Sequence, residues 1–120
     1  MNTTAEALRQ RSFDFAVKAV KLTRYLSDKK QAWVLARQVL RSGTSIGANL
    51  AEAHYAASRK DFLNKCKIAQ KECAETFFWI QLLQRCDFLS DEQAKSLADD
   101  CDELRRMLSA TCKTIENNGK

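Results

Sequence analysis

The sequence predicts an all-α protein, an up-down-up-down antiparallel four-helix bundle, and three observations carry that expectation. The chain has 120 residues, no proline and three glycines, too few of the residues that supply tight-turn geometry for a fold of many short strands. Four segments open with a capping-box pattern, in which a Ser, Thr or Asp side chain accepts from a free backbone N–H and the residue three later reaches back. Apolar residues then recur in alternating steps of three and four, the spacing of helix faces turned to a shared core. A chain of this length has room for one domain, residues 1–120.

The first helix is expected over about 4–26. Thr3-x-x-Glu6 opens it, and Leu8, Ser12, Phe15, Ala19, Leu22 and Leu26 form its inward seam. The second, over about 29–57, opens with Asp28-x-x-Gln31 and keeps the period through Trp33, Ala36, Leu40, Gly43, Ile46, Leu50 and Ala53. Its interior holds Ser42-Gly43-Thr44-Ser45-Ile46-Gly47, where each glycine costs about 1 kcal/mol relative to alanine. Either another backbone approaches closely there or the helix bends, with the Ser and Thr hydroxyls bonded to local carbonyls.

The third helix is expected over about 59–86, with a looser box at Ser58-x-x-Asp61 and a seam of Phe62, Cys66, Ala69, Cys73, Thr76, Ile80 and Leu83. Phe77, Phe78, Trp79, Ile80, Leu82 and Leu83 encircle its C-terminal half. At least one of Phe78, Trp79 and Leu82 therefore points away from the seam, which predicts an oligomer interface at these three residues. The fourth helix, over about 91–116, follows Ser90-x-x-Gln93, with Leu89 and Ala94 as a hydrophobic staple. Its seam is Ala94, Leu97, Cys101, Leu104, Leu108, Thr111 and Ile115. Short connections between such stripes make antiparallel neighbours.

Charge is segregated along the chain. Residues 1–71 carry 14 basic and 5 acidic side chains, net +9, and residues 72–120 carry 6 and 10, net −4, within a total of +5. A basic half suggests an anionic partner, nucleic acid before membrane, against the plainer reading of a lysine-rich surface. The N-terminus lacks the layout of a signal peptide and no apolar run approaches a bilayer-spanning length, so a cytoplasmic location without membrane contact is expected. Five cysteines, Cys66, Cys73, Cys86, Cys101 and Cys112, include no CxxC pair. Reduced thiols are expected rather than a disulfide framework or zinc site.

No catalytic constellation emerges. Ser42 to Gly47 lacks the Lys-Ser/Thr of a phosphate-binding P-loop and the strand that precedes one. His54 is the only histidine, and Cys66, Cys73 and Cys101 fall on core seams, where thiols act as small apolar fillers. A di-metal carboxylate bundle needs Glu-x-x-His motifs, and none exists here. The acidic run Asp99, Asp100, Asp102 and Glu103 sits at helical spacing from Arg105 and Arg106, the pattern of a salt-bridged solvated face. Neither an enzyme nor a cofactor nor a metal is expected.

The basic residues are better organised. Lys60, Lys67 and Lys71, with Asn64 between them, form one polar stripe; Arg37 and Arg41 stack one turn apart; Arg11, Lys18 and Lys21 share a face of the first helix. Such stripes track phosphates by neutralising backbone charge and releasing counterions, which gives salt-dependent affinity for RNA or DNA without base readout.

The stretch Arg41-Ser42-Gly43-Thr44-Ser45-Ile46-Gly47-Ala48-Asn49-Leu50-Ala51-Glu52-Ala53, followed by Ser58-Arg59-Lys60-Asp61-Phe62-Leu63, resembles the bacterial 23S rRNA intervening-sequence protein family. The likeness extends to Phe13–Leu26, to Ala74-Glu75 and to Phe88-Leu89-Ser90. Gly47 stands where members often have proline, and Ala53 where glycine is common. The resemblance implies a ring-shaped homopentamer of bundles, sometimes with a basic surface, and no enzyme. A related branch, the accessory proteins of diversity-generating retroelements, binds nucleic acid and a partner reverse transcriptase. Ser45, Asn49 and Glu52 match the motif and are read as a structural polar cluster that fixes helix register or a subunit contact. Three functions stay open: nucleic-acid binding through a basic surface, the retroelement accessory role, and a protein-interaction module without nucleic acid.

Overall fold

Every residue of the seam expected on the first helix is buried: Leu8, Ser12, Phe15, Ala19, Leu22 and Leu26. The computed structural model describes residues 3–118, except for the Thr3 side chain, so the Thr3 half of the first capping box lies outside the described residues. Four helices follow one another, α1 (Thr3–Asp28), α2 (Trp33–Ala53), α3 (Arg59–Arg85) and α4 (Asp91–Asn118). Each packs antiparallel on the next, and α4 closes on α1 along a shorter seam, giving a bundle of 49 × 22 × 22 Å. The described residues contain no strand.

The helix ends show which local signals survive folding. Ser90 and Gln93 form the complete box, Gln93 N–H donating to Ser90 Oγ at 3.1 Å and Ser90 N–H to Gln93 Oε1 at 2.9 Å. Leu89 and Ala94, the staple pair, are both buried beneath it. Ser58 Oγ accepts from Asp61 N–H at 3.1 Å, while Asp61 reaches back one residue further, to Ala57 N–H. After α3, Asp87 adopts φ 64°, Phe88 N–H donates to Leu83 O at 2.9 Å and Asp87 N–H to Gln84 O at 3.1 Å. That pair of bonds around a left-handed residue is a Schellman stop, and aspartate tolerates the position that glycine usually fills.

The second box does not form, and α2 is shorter at both ends than the expected 29–57. Helix α1 continues through Asp28, Gln31 takes φ 55°, and α2 starts after Ala32 with no side-chain cap. Asp28 is thus the last residue of one helix rather than the cap of the next. At the other end α2 stops at Ala53, and residues 54–58 turn the chain into α3.

The α2 seam also departs from its expected heptad. Val39 is buried where Leu40 was expected and is only half-buried, and Trp33 is 58% exposed. Between α1 and α3, α2 must bury a wider arc than one seam, with Gly43 against α1 and Ser42 against α3. An alanine methyl at Gly43 would sit 2.9 Å from Ala19 Cβ, and one at Gly47 would sit 3.2 Å from the Ser12 carbonyl oxygen. Close approach of α1, one of the two explanations for these glycines, is therefore what they permit. Ser42 accepts from Thr76 Oγ1 at 2.9 Å, a buried α2–α3 link, whereas Thr44 bonds locally to Leu40 O at 2.6 Å.

On α3 the expected seam is buried from Cys66 to Leu83, with Phe62 half-buried at its start. On α4 the last turns rotate slightly, so Cys112 is buried and Thr111 only half-buried, its hydroxyl donating to Met107 O. Leu26, Ile46, Ile80, Leu83, Leu104 and Leu108 are the largest wholly buried side chains, and they come from all four helices.

Candidate nucleic-acid interface

The three basic residues of the α3 stripe, Lys60, Lys67 and Lys71, are exposed along one helix face together with Asn64. Lys67 lies 3.5 Å from Glu116 of α4, while Lys60 and Lys71 have no carboxylate partner among the described residues. The stripe is therefore solvated and net positive.

Elsewhere the basic part of the chain is partly neutralised by carboxylates from residues 72–120. Arg11 pairs with Glu103 and Lys18 with Asp100, so two residues of the α1 face are turned to α4. Arg41 of α2 reaches both Glu72, at 3.2 Å, and Glu75 of α3. Lys21 and Arg37 have no carboxylate partner among the described residues. They lie toward the same end of the bundle, where Thr23 Oγ1 meets the Ala36 carbonyl at 3.4 Å. The eight basic residues singled out in the sequence thus divide evenly: Arg11, Lys18, Arg41 and Lys67 hold carboxylates, and Lys21, Arg37, Lys60 and Lys71 do not. All eight are exposed. Exposed ion pairs contribute only about 0–1 kcal/mol, so the paired four remain exchangeable toward phosphate at small cost.

The α4 acidic run is more divided than a single self-paired face. Asp102 does hold Arg105 at 2.9 Å and Arg106 at 3.3 Å, and Asp99 holds Lys95 at 2.8 Å. Asp100 and Glu103 instead cross to α1. Segregation of charge along the chain therefore serves the closure of α4 on α1.

The motif residues are placed on α2. Asn49 Nδ2 donates to Ser45 O at 2.8 Å and to Ser45 Oγ at 3.2 Å, a bond within one turn. Glu52 reaches out of the helix to Lys65 of α3 at 2.9 Å, and the hydrogen bond raises the Lys65 pKa. Ser45 and Asn49 thus form a local pair, and Glu52 makes a contact with α3.

Of the three residues expected at an interface, Phe78 is 54% exposed and Leu82 half-buried. Trp79 packs against the protomer's own core, its Nε1 donating to Glu75 Oε2 at 3.0 Å and its ring edge-on to Phe78. A second exposed apolar stripe escaped the sequence reading. Phe13, Val17 and Val20 lie on the outside of α1, and their spacing of four and three is the signal that would have found them. Phe13 and Ala16 border a groove of about 720 Å³ whose α2 side is Thr44, Gly47, Ala48 and Ala51.

His54 is exposed at the α2–α3 turn, its ring edge-on to Tyr55, and Cys86 is at the opposite end of α3. A 27-residue helix separates those two ends by roughly 40 Å, so the exposed thiol and the histidine do not meet. Burial pushes the Cys66 thiol up to about 11 and raises Cys112 as well. Among the described residues no group of three or more His, Cys, Asp or Glu could hold a metal ion, and no helix is long and apolar enough to cross a membrane.

The comparisons with known proteins agree with this architecture. The model of the 23S rRNA-intervening sequence protein family matches residues 6–110. A crystal structure of a protein of unknown function from the S23 ribosomal protein family of Bacteroides thetaiotaomicron VPI-5482 is similar at 40% identity and a TM-score of 0.91. The likeness covers 92% of this chain and 99% of that one. No curated protein matches. The motif helix, the four-helix order and a match over most of its length together show that the chain belongs to the 23S rRNA-intervening sequence protein family.

Proposed function

We propose that this protein is a non-enzymatic, self-associating bundle of the cytoplasm that binds RNA or DNA electrostatically. The observation that supports the reading best is the exposed α3 stripe, where Lys60 and Lys71 present charge that no carboxylate among the described residues neutralises. Lysines spaced by one and two helical turns can each meet a phosphate while reading no base. Self-association draws support from Phe78 and from the Phe13–Val17–Val20 stripe, apolar side chains that the protomer leaves in water. The family resemblance sets a ring of five as the expected stoichiometry, which would repeat the stripe around the assembly and multiply its contacts.

Filter binding of a generic RNA hairpin tests the nucleic-acid half of the proposal. Affinity should fall steeply with salt, with a log–log slope set by the number of phosphates neutralised. Reversing Lys60, Lys67 and Lys71 to Glu should abolish binding at low salt. Absence of binding at low salt, or binding that survives the triple reversal, refutes the basic-stripe reading in favour of a protein-interaction module. Light scattering tests assembly: Phe78→Glu and Phe13→Glu should each be compared with the parent chain, and a parent monomer at micromolar concentration refutes self-association.

A further inference from the structure

Four of the five cysteines are buried in α3 and α4, Cys66 and Cys73 on the first and Cys101 and Cys112 on the second. One pair is in direct contact across the two helices. Cys73 Sγ lies 3.5 Å from Cys101 Sγ, and each sulfur is also within bonding distance of the other's backbone carbonyl, at 3.2 and 3.3 Å. A disulfide bond is about 2.05 Å long, so the sulfurs need close by only roughly 1.5 Å. The other two buried thiols are differently engaged, Cys112 Sγ bonding to Gln70 Oε1 at 3.4 Å. Cys86 is exposed at the C-cap of α3.

We propose that Cys73 and Cys101 are a redox pair that hydrogen peroxide converts to an intramolecular disulfide, a reversible staple between α3 and α4. Both residues are 1% exposed, so a bulky disulfide is excluded and the oxidant has to be as small as hydrogen peroxide. The Cys73 thiolate attacks one peroxide oxygen; the O–O bond breaks, and the departing hydroxide takes a proton to become water. Cys73 is then a sulfenic acid. The Cys101 sulfur attacks the Cys73 sulfur, the S–O bond breaks, and the hydroxyl leaves with the Cys101 proton as a second water. Two thiols are oxidised to one disulfide while the peroxide is reduced to two waters, and a dithiol reductant reverses the product.

A bond from the Cys101 thiol to the Cys73 sulfur holds the Cys73 pKa below the ordinary thiol value, with burial opposing and Arg105 assisting, and the same bond raises Cys101. Contact between the sulfurs is symmetric, either being able to donate to the other, so the order with Cys73 attacking and Cys101 resolving is decided by the variant below.

The test exposes the full chain, in a Cys86→Ser background and in parallel without that change, to hydrogen peroxide. Alkylation under denaturing conditions, intact mass and peptide mapping then follow. In the Cys86→Ser chain, alkylation at Cys66 and Cys112 alone is expected, with a linked peptide joining Cys73 to Cys101. The Tm should rise by roughly 5 °C or more, because the bond closes a loop in the unfolded chain, and reduction should return it to its starting value. Full alkylation at all four remaining cysteines, a link between Cys66 and Cys112 instead, or overoxidation of Cys73 without a link would overturn the pairing. A correct link with an unchanged or lowered Tm would overturn the staple. In a Cys101→Ser chain a dimedone adduct is expected on Cys73, and its absence would overturn the assigned order of attack.

Discussion

Replacing Gly43 with alanine sets two effects of opposite sign against each other, and the structure decides between them. In an exposed helix the change would stabilise by about 1 kcal/mol, because alanine loses less backbone freedom on folding. Here the added methyl would lie 2.9 Å from Ala19 Cβ, against an ordinary carbon–carbon contact of about 3.5–4.0 Å. Ala19 Cβ is fixed to the α1 backbone and has no rotamer by which to retreat, so the two helices must separate locally. Overpacking of this kind costs about 1–3 kcal/mol. The expected balance is a net destabilisation of up to about 2 kcal/mol. Urea unfolding followed by far-UV circular dichroism, at one fixed chain concentration and with unchanged m, measures it. The companion Ala19→Gly removes the clashing methyl, so the double variant should be more stable than the sum of the two single changes by about 1–3 kcal/mol, the overpacking it relieves. Gly47→Ala, with its nearest neighbour at 3.2 Å, should cost less than Gly43→Ala. If Gly43→Ala stabilises the chain by the full gain of about 1 kcal/mol expected in an exposed helix, or if the cycle shows additivity, the α1–α2 contact is not the reason for the glycine.

Three further outcomes follow from particular groups. Ser90→Ala should cost about 1 kcal/mol by breaking the complete capping box. Asp28→Ala should be neutral or slightly stabilising in the same unfolding assay, since Asp28 ends α1 and a carboxylate there opposes the helix dipole; an equal loss at both sites would restore Asp28 as a cap. Cys66, pushed up to about 11 by burial from an ordinary thiol value of 9.0, keeps its proton in the fold at pH values where the unfolded chain ionises. Its contribution is therefore fully present below pH 9.0 and is lost as the pH rises from 9.0 through about 11, by up to about 2–3 kcal/mol. Urea unfolding at pH 8 and pH 10.5 should show a fall that Cys66→Ala reduces, and equal pH dependence in both chains would remove Cys66 as its source.

Much of the bundle could be read from the chain because helix periodicity is local. The α1 seam from Leu8 to Leu26 and the α3 seam from Cys66 to Leu83 follow from spacing alone, since a residue every three or four positions faces one side of a helix whatever packs against it. The boxes at Ser58 and Ser90 were legible for the same reason, each bond spanning three or four residues. Asp28 failed because the same residue types also suit the end of a helix. Whether α1 stopped there depended on how Gln31 and Ala32 turned the chain toward α2. The basic stripe of α3 was equally visible, but the neutralisation of Arg11 and Lys18 was not, since Asp100 and Glu103 lie more than 80 residues away in sequence.

By itself the sequence determined that the chain is helical, where its four helices lie to within a few residues, and which side of α1 and α3 is inward. It also determined the family, through the motif on α2. Only the tertiary structure decided which cations remain free, that Trp79 turns to its own core while Phe13, Val17 and Val20 face outward, and that Cys73 and Cys101 touch. The division has one physical cause. Helix periodicity and capping are short-range and repeat within four residues, whereas ion pairing, burial of a second helix face and thiol contact depend on the rotation and register of one helix against another.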